Sequence, residues 1–371
     1  MLTCGLVGLP GSGKSTLFAL LTGLHDVPPP GGSVEGRRVA VVPDRRLDLL
    51  AEHFRPKKTT HVQLEFVDIP GLMPGERSRT VHFLDAVRAT DALVLVLRGF
   101  AHGPGGPGGQ GADPLVELDT LEAELILADL AMVETRIERS GATAAVERVR
   151  DHLGEGRPFS DLALGPDERD ALAHTSFLSA KPVVWVLNVA EGDLSPAPPA
   201  GTTGPVAGLK RAAQARGVPM VVVSAELERE IAGLGPDDAA TFLADLGLGE
   251  PGTARLARAV YGSLGLISFF TTQGSEVRAW TVRRGTRVKE AAGKIHSDME
   301  RGFIRAEVIS FDDYAAVAAG LAETGRPDAG RGPSSPGNRI LVAAREKALV
   351  RLEGRDYEVR DGDIVSIRFN V

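Results

Sequence analysis

The segment Gly8-Leu9-Pro10-Gly11-Ser12-Gly13-Lys14-Ser15-Thr16 concentrates the chemistry of this chain. An apolar run, Cys4 to Val7, precedes it and Leu17-Phe18-Ala19-Leu20-Leu21 follows. Strand, glycine loop and helix in that order separate a phosphate-binding loop of the G-x-x-x-x-G-K-[S/T] type from a chance match. Gly8 and Gly13 let the backbone bend so that several N–H groups face one anion. The helix opening near Gly13 adds the positive end of its dipole. Pro10, Gly11, Ser12, Gly13, Lys14, Ser15 and Thr16 are therefore expected around a nucleoside triphosphate. Lys14 is placed to reach its β- and γ-phosphates, and the Ser15 hydroxyl to ligate Mg2+.

Two later segments complete a nucleotide site. Asp68-Ile69-Pro70-Gly71 closes a strand about 50 residues beyond the loop. There a D-x-x-G acts as a second phosphate sensor, Asp68 holding Mg2+ through water and the Gly71 N–H meeting the γ-phosphate. Many GTPases follow this glycine with a Gln that orients the attacking water. Leu72 stands there instead, and an apolar side chain holds no water. Lys14, Gly71 and Leu72 make up the catalytic set, and slow basal turnover is expected. Guanine-specific switches carry Asn-Lys-x-Asp after a later strand; Asn188-Val189-Ala190-Glu191 has lost the lysine and lengthened the acid by a methylene. Asn188, Val189, Glu191, Ser224 and Ala225 are the expected base-side residues, favouring ATP while leaving GTP open.

The elements that must position these residues alternate. Arg38–Val42, His61–Asp68, Ala92–Leu97, Lys181–Asn188 and Val218–Ser224 read as strands separated by helices, hence a mainly parallel α/β sheet. Leu118–Arg139, Ala144–Leu153 and Pro166–Leu178 are helical by spacing and form an insertion. Gly103–Gly111 and Ala322–Pro336, rich in Gly and Pro, read as loose surface segments. Near the end, Tyr357–Val359 and Ile364–Ile367 flank Asp361-Gly362-Asp363 as strand, turn and strand. The expected division is a P-loop NTPase domain over residues 1–113 and 181–275, a helical hairpin insertion over 114–180, and a small C-terminal α+β domain over 276–371.

Composition narrows the class. The chain has 371 residues, 25% charged and 43% hydrophobic, with a net charge of −7. That is ordinary for a globular protein too long for one core. No 18-residue apolar run exists, so no membrane span is expected, and the absence of a signal sequence points to the cytoplasm. The single cysteine, Cys4, reads as a small core residue. His61, His82 and His102 lack metal-ligand spacing, and the adjacent His296-Ser297-Asp298 cannot adopt triad geometry. Arg278, Arg283, Arg284 and Arg287 with Trp280 form a candidate RNA patch, within a charge distribution that is otherwise mild. No DNA partner is expected, and a monomer is.

With these residues assembled, the chain resembles the YchF-type Obg-like ATPases, a branch of the translation-factor class of P-loop NTPases. The resemblance runs through Gly5-Leu6-Val7-Gly8-Leu9-Pro10, Phe66–Leu72, Glu124–Leu130 and Asn188–Glu191. It continues in Glu276–Thr281, Ile295–Asp298, Gly302-Phe303-Ile304-Arg305-Ala306-Glu307 and the final Arg368-Phe369-Asn370-Val371. It implies a P-loop domain, a helical hairpin, a C-terminal TGS domain, a preference for ATP, and association with the ribosome or ribosomal RNA. It also implies that Ser33 stands for the switch I threonine that helps hold Mg2+. Gly11 and Ser12 replace the family's Asn-Val, which removes a potassium ligand. Met73 to Phe83 is a shortened switch II carrying Arg77 and Arg79. The family's hydrolysis-aiding histidine falls on Pro107, with His102 out of register. The resemblance thus supports a slow Mg-dependent ATPase, with a nucleotide-gated binding protein of negligible hydrolysis and a GTPase as alternatives.

Overall fold

β1 (Thr3–Val7) is buried at every residue, as befits a strand covered on both faces. The computed structural model describes residues 2–24, 36–73, 77–100, 113–194, 205–323 and 335–370. From β1 the chain enters the glycine loop and α1 (Lys14–Leu21). It continues through β2 (Arg37–Val42), α2 (Arg45–Phe54), β3 (Lys58–Thr60), β4 (Val62–Asp68), α3 (Arg77–Arg88) and β5 (Ala92–Arg98). Three helices follow, α4 (Pro114–Ser140), α5 (Ala144–Gly154) and α6 (Pro166–Leu172). Then come β6 (Val183–Asn188), α7 (Pro205–Arg216), β7 (Met220–Val223), α8 (Ala225–Ala232), α9 (Pro236–Asp245) and α10 (Gly252–Ser263). Gly103–Gly111 lies outside the described residues, as does most of Ala322–Pro336.

The chain divides into two compact units, the first made of residues 1–40 and 64–264. Its sheet runs β2-β4-β1-β5-β6-β7, with β1 parallel to β4 and β5, and β6 parallel to β5 and β7. The C-terminal ends of β1, β4, β5, β6 and β7 therefore share one edge, where open parallel sheets bind ligands. Leu93, Leu95 and Leu97 of β5 and Trp185 and Leu187 of β6 pack against Leu118, Leu121 and Leu125 of α4 and Leu209 of α7. Asp113 caps α4, its carboxylate accepting the Leu115 N–H at 2.9 Å, with Pro114 at the first helical position.

α4, α5 and α6 bury a core of their own around Ile126, Val133, Val149, Leu153, Leu172 and Phe177. The third helix stops at Leu172, not at Leu178 as the spacing suggests. A remote carboxylate fixes the segment that follows. Asp129 of α4 accepts the N–H groups of Leu178 and Ser179, both at 2.8 Å, and the Ser179 hydroxyl at 2.7 Å. Those N–H groups open a short 3-10 turn, Leu178–Ala180, that leads the chain into β6.

The second unit comprises residues 41–63 and 265–371. To α2 and β3 it adds β8 (Leu266–Thr271), β9 (Glu276–Arg283), α11 (Val288–Ile295), α12 (Ser297–Arg301), β10 (Phe303–Ser310), α13 (Phe311–Glu323), α14 (Pro336–Glu346), β11 (Arg351–Glu353) and β12 (Asp363–Phe369). Its sheet runs β11-β10-β12-β8-β9-β3 and is mixed: β3 pairs β9 and β12 pairs β8 in parallel, the other pairs being antiparallel. Arg46 of α2 reaches Asp44 and Asp361, both at 2.8 Å, and lies over the Phe270 ring. The strand expected at Tyr357–Val359 does not form; Glu358 makes one isolated bridge, to Arg287. Instead Asp363 accepts the Tyr357 hydroxyl and the Arg360 N–H, each at 2.8 Å, and Gly362 at φ 90° turns the chain directly into β12.

Asp129→Ala leaves the buried Leu178 N–H and the partly buried Ser179 N–H without their acceptor. It is expected to destabilise the protein by about 3 kcal/mol, at ~1–3 kcal/mol for each orphaned donor, read as a lower urea midpoint. An unchanged midpoint would show that water serves these donors equally well.

Candidate functional site

The glycine loop fits its role by backbone conformation. Gly11 and Gly13 sit at φ 81° and 87°, a left-handed region costly for any side chain. A Cβ added to Gly8 would lie 2.6 Å from the Ser12 hydroxyl and 2.7 Å from the Val96 carbonyl; one on Gly13 would run into the Asn188 amide. Ser12 is buried, and its hydroxyl finds no hydrogen-bond partner among the described residues. Pro10 and Gly11 are exposed at the loop tip, and Ser15 and Thr16 are half-buried where α1 begins.

Lys14 and Asp68 are both buried and form an ion pair at 2.6 Å. Charges so enclosed require a partner, and this pair joins the glycine loop to the end of β4. A Cβ on Gly71 would lie 3.5 Å from both the Gly8 carbonyl and the Pro10 nitrogen, so the backbone there runs against the loop. The structure thus brings together Gly8–Thr16, Asp68 and Gly71. Leu72 is wholly buried and packs in the core with Val7, Ile69, Phe83 and Val87, so its side chain presents nothing to a phosphate. Ser33, His102 and Pro107 lie outside the described residues.

On the other side of the loop, Asn188 is buried at the end of β6. Its Nδ2 donates to the Ser12 carbonyl and its Oδ1 accepts the Ala225 N–H, both at 2.9 Å. One amide thereby ties the glycine loop to the turn between β7 and α8. The buried Ser224 caps α8 through the Leu227 N–H. Val189 is buried, and its N–H donates to the Val223 carbonyl at 2.8 Å, while Glu191 opens an exposed turn.

Two carboxylates that frame this edge escaped sequence reasoning. Glu228 fastens the start of α10, accepting the N–H groups of Gly252 at 2.6 Å and Thr253 at 3.1 Å. Glu117 accepts the Arg98 N–H at 2.9 Å and pairs with its guanidinium at 3.1 Å, joining the end of β5 to the start of α4. The available signal was a basic residue at a strand end and an acid in the first turn of the next helix, on either side of the Gly/Pro run.

For magnesium, a hard cation that takes oxygen ligands, the Ser15 hydroxyl and Asp68 carboxylate are oxygen donors on segments already held together by the Lys14 pair. No group of three or more His, Cys, Asp or Glu residues suited to a metal occurs among the described residues. That donor set fits an ion held largely by phosphates. A cavity of about 750 Å³ lies at the opposite end of the sheet, lined by Leu125, Leu178, Val183, Arg216, Pro219 and Gly262, and contains none of these residues. No described helix is long and apolar enough to cross a membrane.

Comparison with known proteins places this arrangement. The family model described as "50S ribosome-binding GTPase" matches residues 3–126. The YchF-GTPase_C model, described as a protein of unknown function (DUF933), matches residues 266–327. The "Ribosome-binding ATPase YchF" of Bacillus subtilis (strain 168) is 34% identical over 388 residues, covering 100% of both chains. The protein of the same name from Haemophilus ducreyi is 37% identical over 386 residues, covering 99% of each. The solved structure of the Schizosaccharomyces pombe YchF GTPase superposes with a TM-score of 0.78 at 25% identity, covering 99% of this chain and 97% of that one. End-to-end identity at this level, on a P-loop fold whose strand ends gather Lys14, Asp68 and Asn188, establishes that the chain belongs to the YchF family.

Proposed function

We propose that this protein is a slow, magnesium-dependent ATPase that acts as a ribosome-associated switch in the cytoplasm. The observation that carries the reading is the buried Lys14–Asp68 pair beside two left-handed glycines. A lysine held at the mouth of an anion cradle is ready to exchange a carboxylate for a phosphate. A triphosphate entering the loop competes with Asp68 for Lys14. Asp68, with Ser15 and Ser33, would then hold magnesium, which when bound neutralises charge on the β- and γ-phosphates. The Gly71 N–H senses the γ-phosphate, and Lys14 offsets its developing charge. No residue in this set orients the attacking water, because the Leu72 side chain is committed to the core.

The base-side set supports adenine. Val189 replaces the lysine of guanine-specific switches, and Glu191 sits on an exposed turn with a longer side chain than the usual aspartate. The names of relatives divide between ATPase and GTPase. For the working parts, we assign the nucleotide switch to residues 1–113 and 181–275, the helical hairpin to 114–180, and a TGS-like domain to 276–371 of a monomeric chain, with residues 41–63 and 265–275 of the switch segments belonging to the second compact unit. Ribosome association rests on the names of full-length relatives. The burial of Leu72 also favours a second reading, a nucleotide-gated binding protein that hardly hydrolyses.

By isothermal titration, ATP is expected to bind more tightly than GTP; the reverse order would make the protein a GTPase. Lys14→Ala is expected to lower ATP affinity roughly 100-fold, about 2.7 kcal/mol; unchanged affinity would remove the loop from nucleotide binding. Phosphate release without ribosomes is expected on the order of 10⁻³ per second or slower, with ribosomes accelerating it. Release that stays undetectable in both conditions selects the binding-protein reading. Leu72→Gln should leave this rate unchanged while lowering stability by about 1–3 kcal/mol. A faster variant would place residue 72 at the phosphates.

A further inference from the structure

Outside the nucleotide site, the second unit carries an unresolved conflict of charge. Two sequence motifs, Gly302–Glu307 and Arg368–Asn370, become neighbours when β10 pairs antiparallel with β12. In this register Arg305 stands directly opposite Arg368, and Glu307 opposite Ser366. Like charges directly opposed across an antiparallel pair are destabilising. Arg345 from the last turn of α14 brings a third guanidinium to the same face, 2.9 Å from Glu307. Arg368 reaches the other oxygen of Glu307 at 2.8 Å. One carboxylate thus answers for two arginines, and no carboxylate among the described residues lies within ion-pair range of Arg305. All three arginines are exposed.

An arrangement that works against local consistency in the fold is expected where a partner relieves it. Here the relief must be anionic. Guanidinium forks match phosphate oxygens bidentately, and Ser366 and Asn370 add neutral hydrogen-bonding groups beside them. The adjacent aromatic residues, Phe303 and Phe369, pack against the core of the unit. The face therefore lacks the exposed aromatic anchor typical of protein–protein hot spots. We infer that Arg305, Arg345 and Arg368 form a surface that grips the phosphate backbone of ribosomal RNA. This inference rests on the ribosome association proposed above and gives it a location.

The test uses the full-length protein, bacterial ribosomes and protein-free ribosomal RNA. Arg305→Gln and Arg368→Gln are each compared with Arg150→Gln, a change at a partly exposed arginine of the first unit that pairs with Asp151. Each of the first two is expected to weaken RNA binding roughly 3–10-fold and to reduce the slope of log affinity against log salt by about 0.7–0.9. Arg150→Gln should change neither. Because the like-charge pair is relieved, the melting temperature should hold or rise, and ATP affinity should be unaffected. An unchanged salt slope overturns the inference, as does a lost affinity explained by a fallen melting temperature. If the wild type binds ribosomes but not protein-free RNA while the variants lose the ribosome, the partner is an acidic protein face and the RNA assignment is wrong. If the wild type fails to sediment with ribosomes, the association itself falls.

Discussion

A buried ammonium group cannot stay charged in a protein interior without a partner, and the fold of the first unit supplies one for Lys14. The partner, Asp68, arrives from the end of a different strand, 2.6 Å away. For that meeting to occur β1 and β4 must be adjacent and parallel, and they are, with Leu6 in register with Asp68. The glycine loop must also be open enough for the lysine to turn back over it, which the left-handed conformations of Gly11 and Gly13 permit. A single electrostatic requirement therefore constrains strand order, register and loop sequence together. It also keeps Lys14 occupied by a carboxylate, so that, on the function proposed above, an incoming phosphate would exchange one anion for another instead of creating a new charge pair.

Asn188 plays the corresponding part for the rest of the edge. It is a neutral group with one donor and one acceptor directed at two different loops. Both partners are backbone groups, so replacing Asn188 itself would strand a buried carbonyl and a buried N–H, at about 1–3 kcal/mol for each. The end of β4 is thus coupled to the glycine loop by charge and the end of β6 by an amide. Both couplings run through backbone or side-chain atoms of the glycine loop, which makes residues 8–16 the common support of the site.

Much of this was legible in the sequence where the cause is local. The glycine loop, Asp68 with Gly71, Asn188 and the buried strands announce themselves by spacing and apolar runs, because steric and hydrophobic demands act within a few residues. Whatever depends on distant partners was not. The turn at Leu178 is anchored by Asp129, and the chain at Tyr357 by Asp363. Leu72 reads from the sequence as a residue unable to hold water, but its burial among Phe83 and Val87 follows only from the folded chain. The opposition of Arg305 and Arg368 is a matter of register, which no local pattern reveals.

The second unit is discontinuous: residues 41–63 belong to it, yet lie between the glycine loop and Asp68 along the chain. This bears on the order of events during synthesis. β3 leaves the ribosome long before its pairing partner, since Lys58 aligns with Glu276. At translation speeds of about 5–20 residues per second the wait is on the order of 10–40 s. Over that interval α2 and β3 form a tethered loop, anchored at both ends by a sheet that can already assemble, with Leu47, Leu50 and Phe54 still lacking the shelter they have in the finished protein. The nascent chain is thus obliged to carry the exposed apolar face of α2 through most of its own production, until β9, α13 and α14 arrive to cover it.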